Sequence, residues 1–307
     1  MDNAEDAVLI DIGGYRLNSL LLSSKTPSRN GAVVFIHGAS TSLLDPLYSF
    51  RSKRPANIDM LFVDRPGHGL SEFGPRENIL PDAQADAIAK LMHKRGIEHA
   101  TIIGHSYGGA VAAAMAVRHP KLVSGLILLS PAVYPWVGGI AWYNDMAILP
   151  VVGRLFSLLV APTLGLLSLK TAMKSVFTPN IYPAGYTQKT KAWQALRPRA
   201  FRHNARELAA LCDWAENTHT RYKNIVAPTI IITGDTDDIV SPEVHAKRLA
   251  KDVKQSELIV IKRMGHKSDY VARDLVVAAI EKLAGTPIDL SSIARHIELQ
   301  IANEASR

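Results

Sequence analysis

Residues 101–110, with the sequence TIIGHSYGGA, decide the fold of this chain of 307 residues. An apolar run at 100–103 leads into a Gly-x-Ser-x-Gly pattern centred on Ser106, and small helix-forming residues follow at 110–117. A serine on a sharp strand-to-helix turn is held in a strained backbone conformation that exposes its hydroxyl above the sheet. Flanking glycines let the backbones approach more closely than Cβ atoms would allow. This context predicts that Ser106 is a nucleophile rather than an inert turn serine.

The rest of the chain alternates short apolar runs with amphipathic segments. Apolar runs bounded by turn residues, as in strands buried on both faces, occur at 32–36, 60–63, 100–103, 126–129, 229–233 and 258–261. Helical spacing or helix-start signals occur at 82–94, 110–117, 242–250 and 269–283. This alternation predicts an α/β fold with a mostly parallel sheet and crossover helices, preceded by a hairpin over 8–22.

The alternation is interrupted by residues 133–224, which are rich in Leu, Pro and Trp. Such a segment is too long to be a plain loop. We therefore predict that these residues, called the insertion below, form a mainly helical cap. The α/β core would then comprise residues 1–132 and 225–307, the second part ending in an extra helix over 290–301.

A serine hydroxyl becomes a good nucleophile only when a base within hydrogen-bond reach takes its proton. Of the 11 histidines, His266 directly follows the last predicted strand. The carboxyl ends of parallel strands share one edge of the sheet, so His266 should lie near Ser106. His105 should diverge from its neighbour and pack, and His68 should shape a turn. The sequence thus predicts His266 as the general base.

The carboxylate that orients the base should lie on the same edge and precede the histidine in the chain. Three candidates follow the strand at 229–233, namely Asp235, Asp237 and Asp238. An acid at this place would fix the imidazole tautomer and stabilise the imidazolium. Aspartates are also common turn formers, so one or two of the three could serve only to shape the loop.

Four ordered motifs resemble those of the α/β-hydrolase superfamily over nearly the whole chain. Residues 36–39 (IHGA) resemble its oxyanion turn, and 64–71 (DRPGHGLS) resemble its Asp-x-Pro-Gly-x-Gly-x-Ser turn. Residues 234–237 resemble its acid loop, and 265–266 resemble its histidine loop. The resemblance implies an α/β-hydrolase fold, a mostly parallel central sheet flanked by helices with an inserted helical cap.

The same resemblance implies roles for single residues. The family's acid stands three residues beyond the glycine that ends the strand, which implies Asp237. The oxyanion hole would be formed by the backbone N–H groups of Ala39 and Tyr107, two donors that stabilise a tetrahedral intermediate. His37 would then have a local structural role.

The resemblance also narrows the reaction. Relatives that open epoxides or displace halide carry Asp where this chain has Ser106, so acyl transfer to water is implied. We expect hydrolysis of a carboxylic ester of a hydrophobic small molecule through an acyl-enzyme, with no cofactor and no metal. A lactonase or a C–C bond hydrolase of a ring-cleavage product would use the same triad. The alternative from another class is a catalytically silent ligand-binding protein.

Composition bears on partners and location. The net charge of +7 comes from scattered residues without a long basic block, which indicates a solvated surface and no nucleic-acid partner. Cys212 is the only cysteine, so no intrachain disulfide forms. Residues 1–6 are acidic and do not resemble a signal peptide. We expect a cytoplasmic protein, and the sequence leaves a homodimer open.

The insertion contains the only hint of substrate. Its apolar run at 147–169 is interrupted by Pro150, Arg154 and Pro162, so we expect a pair of lid helices and no stable membrane span. An amphipathic segment lying on a membrane surface is the alternative. The side chains expected to line a hydrophobic substrate pocket are those of Trp136, Trp142 and Tyr143, with Tyr134 and Trp193 as further candidates.

Overall fold

The computed structural model describes residues 7–24 and 31–305. Residues 1–6, from which we expect no signal peptide, lie outside that part of the chain, as do the outer limits of the two predicted core segments.

Eight strands form one sheet in the order β1-β2-β4-β3-β5-β6-β7-β8. The β1–β2 and β2–β4 pairs are antiparallel, and the other five pairs are parallel. The strands are β1 Val8–Asp11, β2 Arg16–Leu22, β3 Ala32–Ile36, β4 Asp59–Val63, β5 Ala100–His105, β6 Val123–Leu129, β7 Thr229–Gly234 and β8 Ser256–Ile261. The predicted hairpin and all six predicted buried strands are present, with ends that differ by at most three residues.

The helices flank this sheet on both sides. In the core they are α1 Leu44–Phe50, α2 Pro81–Lys94, α3 Tyr107–Arg118, α9 Ala246–Asp252, α10 Ser268–Val271, α11 Arg273–Leu283 and α12 Leu290–Ala305. Short 3₁₀ segments lie at Arg51–Lys53 and Arg76–Ile79. The helix predicted over 290–301 is therefore confirmed and extends four residues further.

Two helix predictions were wrong in detail. Residues 242–245 form turns, and the helix begins only at Ala246. Pro242 does not begin the helix, because the fixed φ of proline suits turns as well as the first turn of a helix. The helix predicted over 269–283 is broken at Ala272, whose ψ of 24° departs from helical geometry and separates α10 from α11.

The insertion lies between β6 and β7, and all its residues are described. It contains α4 Trp142–Ile148, α5 Val152–Leu155, a π-helical turn Phe156–Val160, α6 Leu164–Phe177, α7 Tyr186–Lys189 and α8 Pro198–Thr218, with 3₁₀ segments at Ala192–Leu196 and His219–Asn224. Within the described residues no single helix is long and apolar enough to cross a membrane. The pair Trp142–Ile148 and Val152–Val160 passes that test only together, with a bend of 114° between them.

Apolar packing fills both faces of the sheet. Val34 and Ile102 point into a cluster with α2 and α3, whereas Phe35 and Ile103 point into a second cluster with α11 and α12. Alternate residues of one strand thus serve opposite faces, which explains why the strands are apolar throughout. The carboxyl ends of β3, β5, β7 and β8 therefore meet at one buried edge, where the loops that follow them come together.

Candidate active site

Ser106 joins β5 to α3 in a backbone conformation that few residues adopt. Its φ of 54° and ψ of −119° are unusual for a side chain with a Cβ atom. A Cβ atom at Gly108 would lie 2.2 Å from the carbonyl oxygen of Ile36, and one at Gly104 would lie 2.2 Å from that of Gly108. The glycines on either side of the serine are therefore required by close backbone contacts, as the sequence pattern predicts.

His266 and Asp237 meet at the same edge of the sheet. The Nδ1 atom of His266 lies 2.9 Å from Oδ2 of Asp237, and both side chains are buried. A carboxylate partner at Nδ1 places the proton there and leaves Nε2 free to accept one. This is the tautomer that a general base requires.

Asp237 is the aspartate of its loop that contacts the histidine. Its other oxygen, Oδ1, accepts hydrogen bonds from the backbone N–H groups of Ile239 and Val240. Burial raises the pKa of Asp237, but the hydrogen bonds from His266 and from these two N–H groups outweigh burial and lower it overall. Asp235 instead accepts a hydrogen bond from the Arg263 backbone N–H at 2.7 Å and so shapes the loop.

The predicted oxyanion turn lies directly against the serine. A Cβ atom at Gly38 would be in van der Waals contact with the Cβ atom of Ser106, at 3.4 Å, and in tighter contact with Nδ1 of His105, at 3.2 Å. Tyr107 is the first residue of α3, where backbone N–H groups have no partner within the helix. The turn at 36–39 thus lies beside Ser106, and Tyr107 follows Ser106 directly in the chain.

His105 packs beside the site, as expected. Its Nε2 lies 3.0 Å from the backbone carbonyl oxygen of His266, and the two imidazole centroids are 4.9 Å apart. Because His105 ends β5 and directly precedes Ser106, this contact links the turn at Ser106 to the loop of His266.

Sequence reasoning missed Arg65, whose fully buried side chain lies behind the oxyanion turn. Its Nε–H donates to the carbonyl oxygen of His37 at 3.1 Å, and its Nη2–H donates to that of Gly38 at 3.0 Å. Its guanidinium carbon lies 4.4 Å from the centroid of the Tyr107 ring. The Gly38–Ala39 peptide is trans, so the Ala39 N–H points away from the carbonyl that Arg65 holds. Arg65 therefore fixes the direction of this N–H.

His37 completes the support of the turn. Its Nδ1–H donates to the carbonyl oxygen of Gly38 at 2.8 Å, and its Nε2 accepts the backbone N–H of Arg65 at 3.1 Å. Burial, and then the charge of Arg65, lower the pKa of His37 well below its ordinary value. A neutral ring is what this donor–acceptor pattern needs, and it gives His37 the local structural position that the resemblance implies.

Arg65 also connects the core with the insertion. Its Nη1–H donates at 2.8 Å to Oε1 of Glu207 on α8, and both side chains are fully buried. Burial raises the pKa of Glu207, but the charges of Arg65 and His68 outweigh it and hold that pKa well below its usual value. The separation of 142 residues explains why no local signal in the sequence indicates the pair.

His68 belongs to the same network. Its Nε2–H donates to Oε2 of Glu207 at 2.7 Å, and burial, followed by the charge of Arg65, lowers the pKa of His68 to about 4. With His203, these residues bring ligand-type atoms within 4.8 Å of one another. Arg65 already supplies the positive charge that a metal ion would bring, so we assign the group to the ion-pair network.

Two asparagines of the insertion contact the loops of the site. The Oδ1 atom of Asn204 accepts the backbone N–H of Ser40, next to the oxyanion turn, at 2.7 Å. The Oδ1 atom of Asn180 accepts the backbone N–H of Gly265, next to His266, at 2.8 Å. The insertion therefore lies across the edge of the sheet that carries Ser106.

Lys267, which follows His266 in the chain, is also buried. Its Nζ lies 2.9 Å from a carboxylate oxygen of Asp45 and 2.9 Å from one of Asp269. Burial lowers the pKa of Lys267, but these two carboxylates outweigh burial and raise it overall. The Tyr186 hydroxyl, from the insertion, donates to Asp45 as well, so this cluster is a second buried connection between core and insertion.

The predicted pocket residues occupy different environments. Trp142 is 68% exposed and contacts the rings of Tyr143 and Phe156, while the Trp136 indole N–H donates to the carbonyl oxygen of Gly139. Their role in a pocket stays a prediction.

Tyr134, a further candidate for the pocket lining, instead packs in the core, and its hydroxyl group donates a hydrogen bond to Asp252. Trp193 is 40% exposed.

Comparison with known proteins agrees with this architecture. The chain is 26% identical over 272 residues to a 2-hydroxy-6-oxo-6-phenylhexa-2,4-dienoate hydrolase of Comamonas testosteroni, covering 84% of this chain and 89% of that protein. It is 40% identical over 100 residues to the dihydrolipoyllysine-residue acetyltransferase component of an acetoin cleaving system of Cupriavidus necator. That match covers 32% of this chain and only 26% of the relative.

Among solved structures, an esterase of Exiguobacterium antarcticum superposes with a TM-score of 0.67 at 18% identity, covering 89% of this chain and 96% of that one. This likeness concerns the fold. The sequence model of the alpha/beta hydrolase fold family matches residues 31–269, which is most of the chain. The chain belongs to the α/β-hydrolase fold family.

Proposed function

We propose that this chain is a serine hydrolase that cleaves a carboxylic ester of a hydrophobic small molecule through an acyl-enzyme. The observation that supports this most strongly is the strained turn at Ser106, at the same sheet edge as the His266–Asp237 pair. A histidine with a carboxylate at Nδ1, at the same sheet edge as a serine on such a turn, is the arrangement that serine activation needs.

In this proposal Ser106 Oγ attacks the ester carbonyl carbon while Nε2 of His266 takes the hydroxyl proton. The negative charge moves to the carbonyl oxygen, where the N–H groups of Ala39 and Tyr107 stabilise it. The C–O bond to the alcohol then breaks, and the imidazolium gives its proton to the leaving oxygen. Water, activated by the same histidine, attacks the acyl-enzyme and releases the acid, which restores Ser106.

The acid and the buried arginine act through other groups. Asp237 holds the Nδ1–H tautomer of His266 and stabilises the imidazolium. Arg65 positions the Ala39 N–H by holding the carbonyl on the other side of the same peptide. In this scheme neither Asp237 nor Arg65 contacts the substrate.

The insertion is proposed to be the cap of the pocket, with the core at 1–132 and 225–307. Its contacts through Asn180 and Asn204 to the site loops support this reading. The substrate is then a small molecule that enters between insertion and core. A cytoplasmic location and a homodimer stay predictions.

One observation favours a second candidate function. The identity of 26% over 84% of the chain is to a hydrolase named for 2-hydroxy-6-oxo-6-phenylhexa-2,4-dienoate. A C–C bond hydrolase or a lactonase would use the same serine, base and acid.

An ester assay separates these candidates. With p-nitrophenyl butyrate we expect turnover by the parent, and a loss of at least about 10³-fold in Ser106→Ala. The matched control is Ser130→Ala, because Ser130 also has a positive φ, 42°, at the end of a parallel strand. It should keep at least roughly a tenth of the parental rate.

Three results would weigh against ester hydrolysis. Turnover of a dienoate ring-cleavage product without ester turnover would favour the C–C hydrolase, and turnover of lactones alone would favour the lactonase. Absence of any Ser106-dependent turnover would favour the ligand-binding alternative.

A further inference from the structure

The outer side of the insertion exposes a run of large apolar side chains. Their exposed fractions range from 55% to 82%, and the residues are Trp142, Val151, Leu155, Leu158, Leu159 and Leu167. We call this set the apolar face. Apolar residues scattered singly over a surface are ordinary, whereas a concentration in one segment indicates a binding surface.

The inner side of the same segment is lined by small residues. Gly153, Ser157 and Ala161 are buried at a spacing of four, and a Cβ atom at Gly153 would lie 2.3 Å from the carbonyl oxygen of Ala147. Helices of water-exposed proteins usually bury their large apolar side chains. Small residues at the contact and large apolar residues outside are instead typical of helices that pack in an apolar medium.

Two hydroxyl groups in this segment donate to carbonyl oxygens of the preceding helical turn, whereas the buried Ser157 hydroxyl has no hydrogen-bond partner among the described residues. Thr163 Oγ1–H donates to the carbonyl oxygen of Leu159 at 2.6 Å, and Ser168 Oγ–H donates to that of Leu164 at 2.9 Å. Such bonds to the preceding turn let a hydroxyl leave water without losing a partner.

The basic residues form no long block in the sequence, yet the net positive charge of the chain falls within the insertion. Residues 133–224 contain 11 Lys and Arg against 4 Asp and Glu, a net +7, so the remainder is balanced at 24 against 24. Lys170 and Lys174 are exposed and follow Leu167 at helical spacing, so the apolar face passes into a basic one. Arg154 is exposed within the apolar run itself.

Arg202 and Arg206 lie one turn apart on α8, near Arg154. Burial, followed by the charges of Arg206 and Arg154, lowers the pKa of Arg202, which indicates repulsion among three guanidinium groups. A surface of this composition complements a negatively charged partner with an apolar interior.

We propose that the apolar face docks on an anionic lipid surface. Leucines of the face, such as Leu155 and Leu159, would enter the boundary of the acyl chains, while Arg154, Lys170 and Lys174 would contact the headgroups. The bend of 114° between the first helices of the insertion suits a segment lying in the interface. This proposal does not depend on the chemistry of Ser106.

Sedimentation with lipid vesicles tests the proposal on the full chain. We expect binding to vesicles of phosphatidylcholine and phosphatidylglycerol in equal amounts, at least about tenfold weaker binding to phosphatidylcholine alone, and weakening by salt. Leu155→Glu with Leu159→Glu should lower binding by about tenfold or more. The matched control is Leu299→Glu on α12, 65% exposed, which should bind as the parent does.

A variant with reversed charges at two lysines tests the contact with the lipid headgroups. Lys170→Glu with Lys174→Glu should weaken binding to the mixed vesicles and leave binding to phosphatidylcholine unchanged. The proposal is overturned if the parent does not bind the mixed vesicles, or if Leu299→Glu weakens binding as much as the leucine variant. It is also overturned if ultracentrifugation without lipid shows a dimer that Leu155→Glu dissociates, because a second copy would then cover the face.

Discussion

The turn around Ser106 and the outer helices of the insertion both pack small residues tightly, but the close packing has a different consequence in each region. At the turn, Gly104 and Gly108 admit close backbones so that one hydroxyl stands in a fixed place. In the insertion, Gly153 admits a close helix contact while leucines point outward. In our proposals the first region serves the reaction, and the second serves the contact with a lipid surface.

The first test of this contrast concerns the acid, where the largest effect is expected. Asp237→Asn should lower the ester hydrolysis rate by roughly 10⁴-fold with little change in fold, because the imidazole loses its tautomer and its countercharge. Asp235→Asn and Asp238→Asn, assayed side by side, should keep at least about a tenth of the rate. A dead Asp238→Asn beside an active Asp237→Asn would move the acid by one residue.

The second test concerns Arg65, whose guanidinium donates hydrogen bonds to the carbonyl oxygens of His37 and Gly38. Arg65→Lys keeps the charge but cannot hold both carbonyls of the oxyanion turn, so kcat should fall by about 10- to 100-fold with KM little changed. The control is Arg95→Lys, whose arginine is part-buried and bonds Ser19 away from the site. If KM rises and kcat stays, Arg65 supports substrate binding rather than the oxyanion turn.

The third test concerns the junction where the insertion leaves the core. Nδ1 of His245 accepts the backbone N–H groups of Val133 and Tyr134, and burial lowers the pKa of His245 to about 4. An unfolded histidine takes up its proton near pH 6.5. Protonation therefore favours the unfolded chain, and the stabilisation present above about pH 6.5 is lost as pH falls towards 4.

Urea unfolding at pH 7.5 and pH 5 measures this effect. The midpoint should fall with pH in the parent, and it should fall less in His245→Asn, whose amide oxygen can accept the same N–H groups without titrating. His68, with a pKa also lowered to about 4, would leave part of the loss in place. Equal losses in parent and variant would contradict the assignment to His245.

The same contrast explains what could be predicted from sequence. Local sequence patterns predicted the strands, the turn at Ser106 and the loop of Asp237. Glycines and apolar runs are informative there because they depend on contacts with residues nearby in the chain. Arg65 and Lys267 carry no such signal. Each lies in a turn, where a basic residue is usually exposed. Glu207 lies 142 residues from Arg65, and Asp45 lies 222 residues from Lys267, whose second carboxylate partner is the nearby Asp269.

The presence of helices in the insertion was predictable, but the direction in which their side chains point was not. Its length and composition indicate helices between β6 and β7, and those helices are present. The burial of Gly153 and the exposure of Leu155 cannot be read from periodicity, because an apolar run gives no direction by itself. Tyr134 shows the same difficulty, since an aromatic residue at the start of such a segment serves the core or the pocket equally well.

The central claim is that Ser106 is the nucleophile, and covalent labelling tests it most directly. The full chain would be treated with a fluorophosphonate, digested and examined by mass spectrometry, with Ser106→Ala and Ser130→Ala as paired variants. We predict one added phosphonyl group on the peptide that contains Ser106, retained in Ser130→Ala and absent in Ser106→Ala. Labelling of another residue, or equal labelling of Ser106→Ala, would contradict the account.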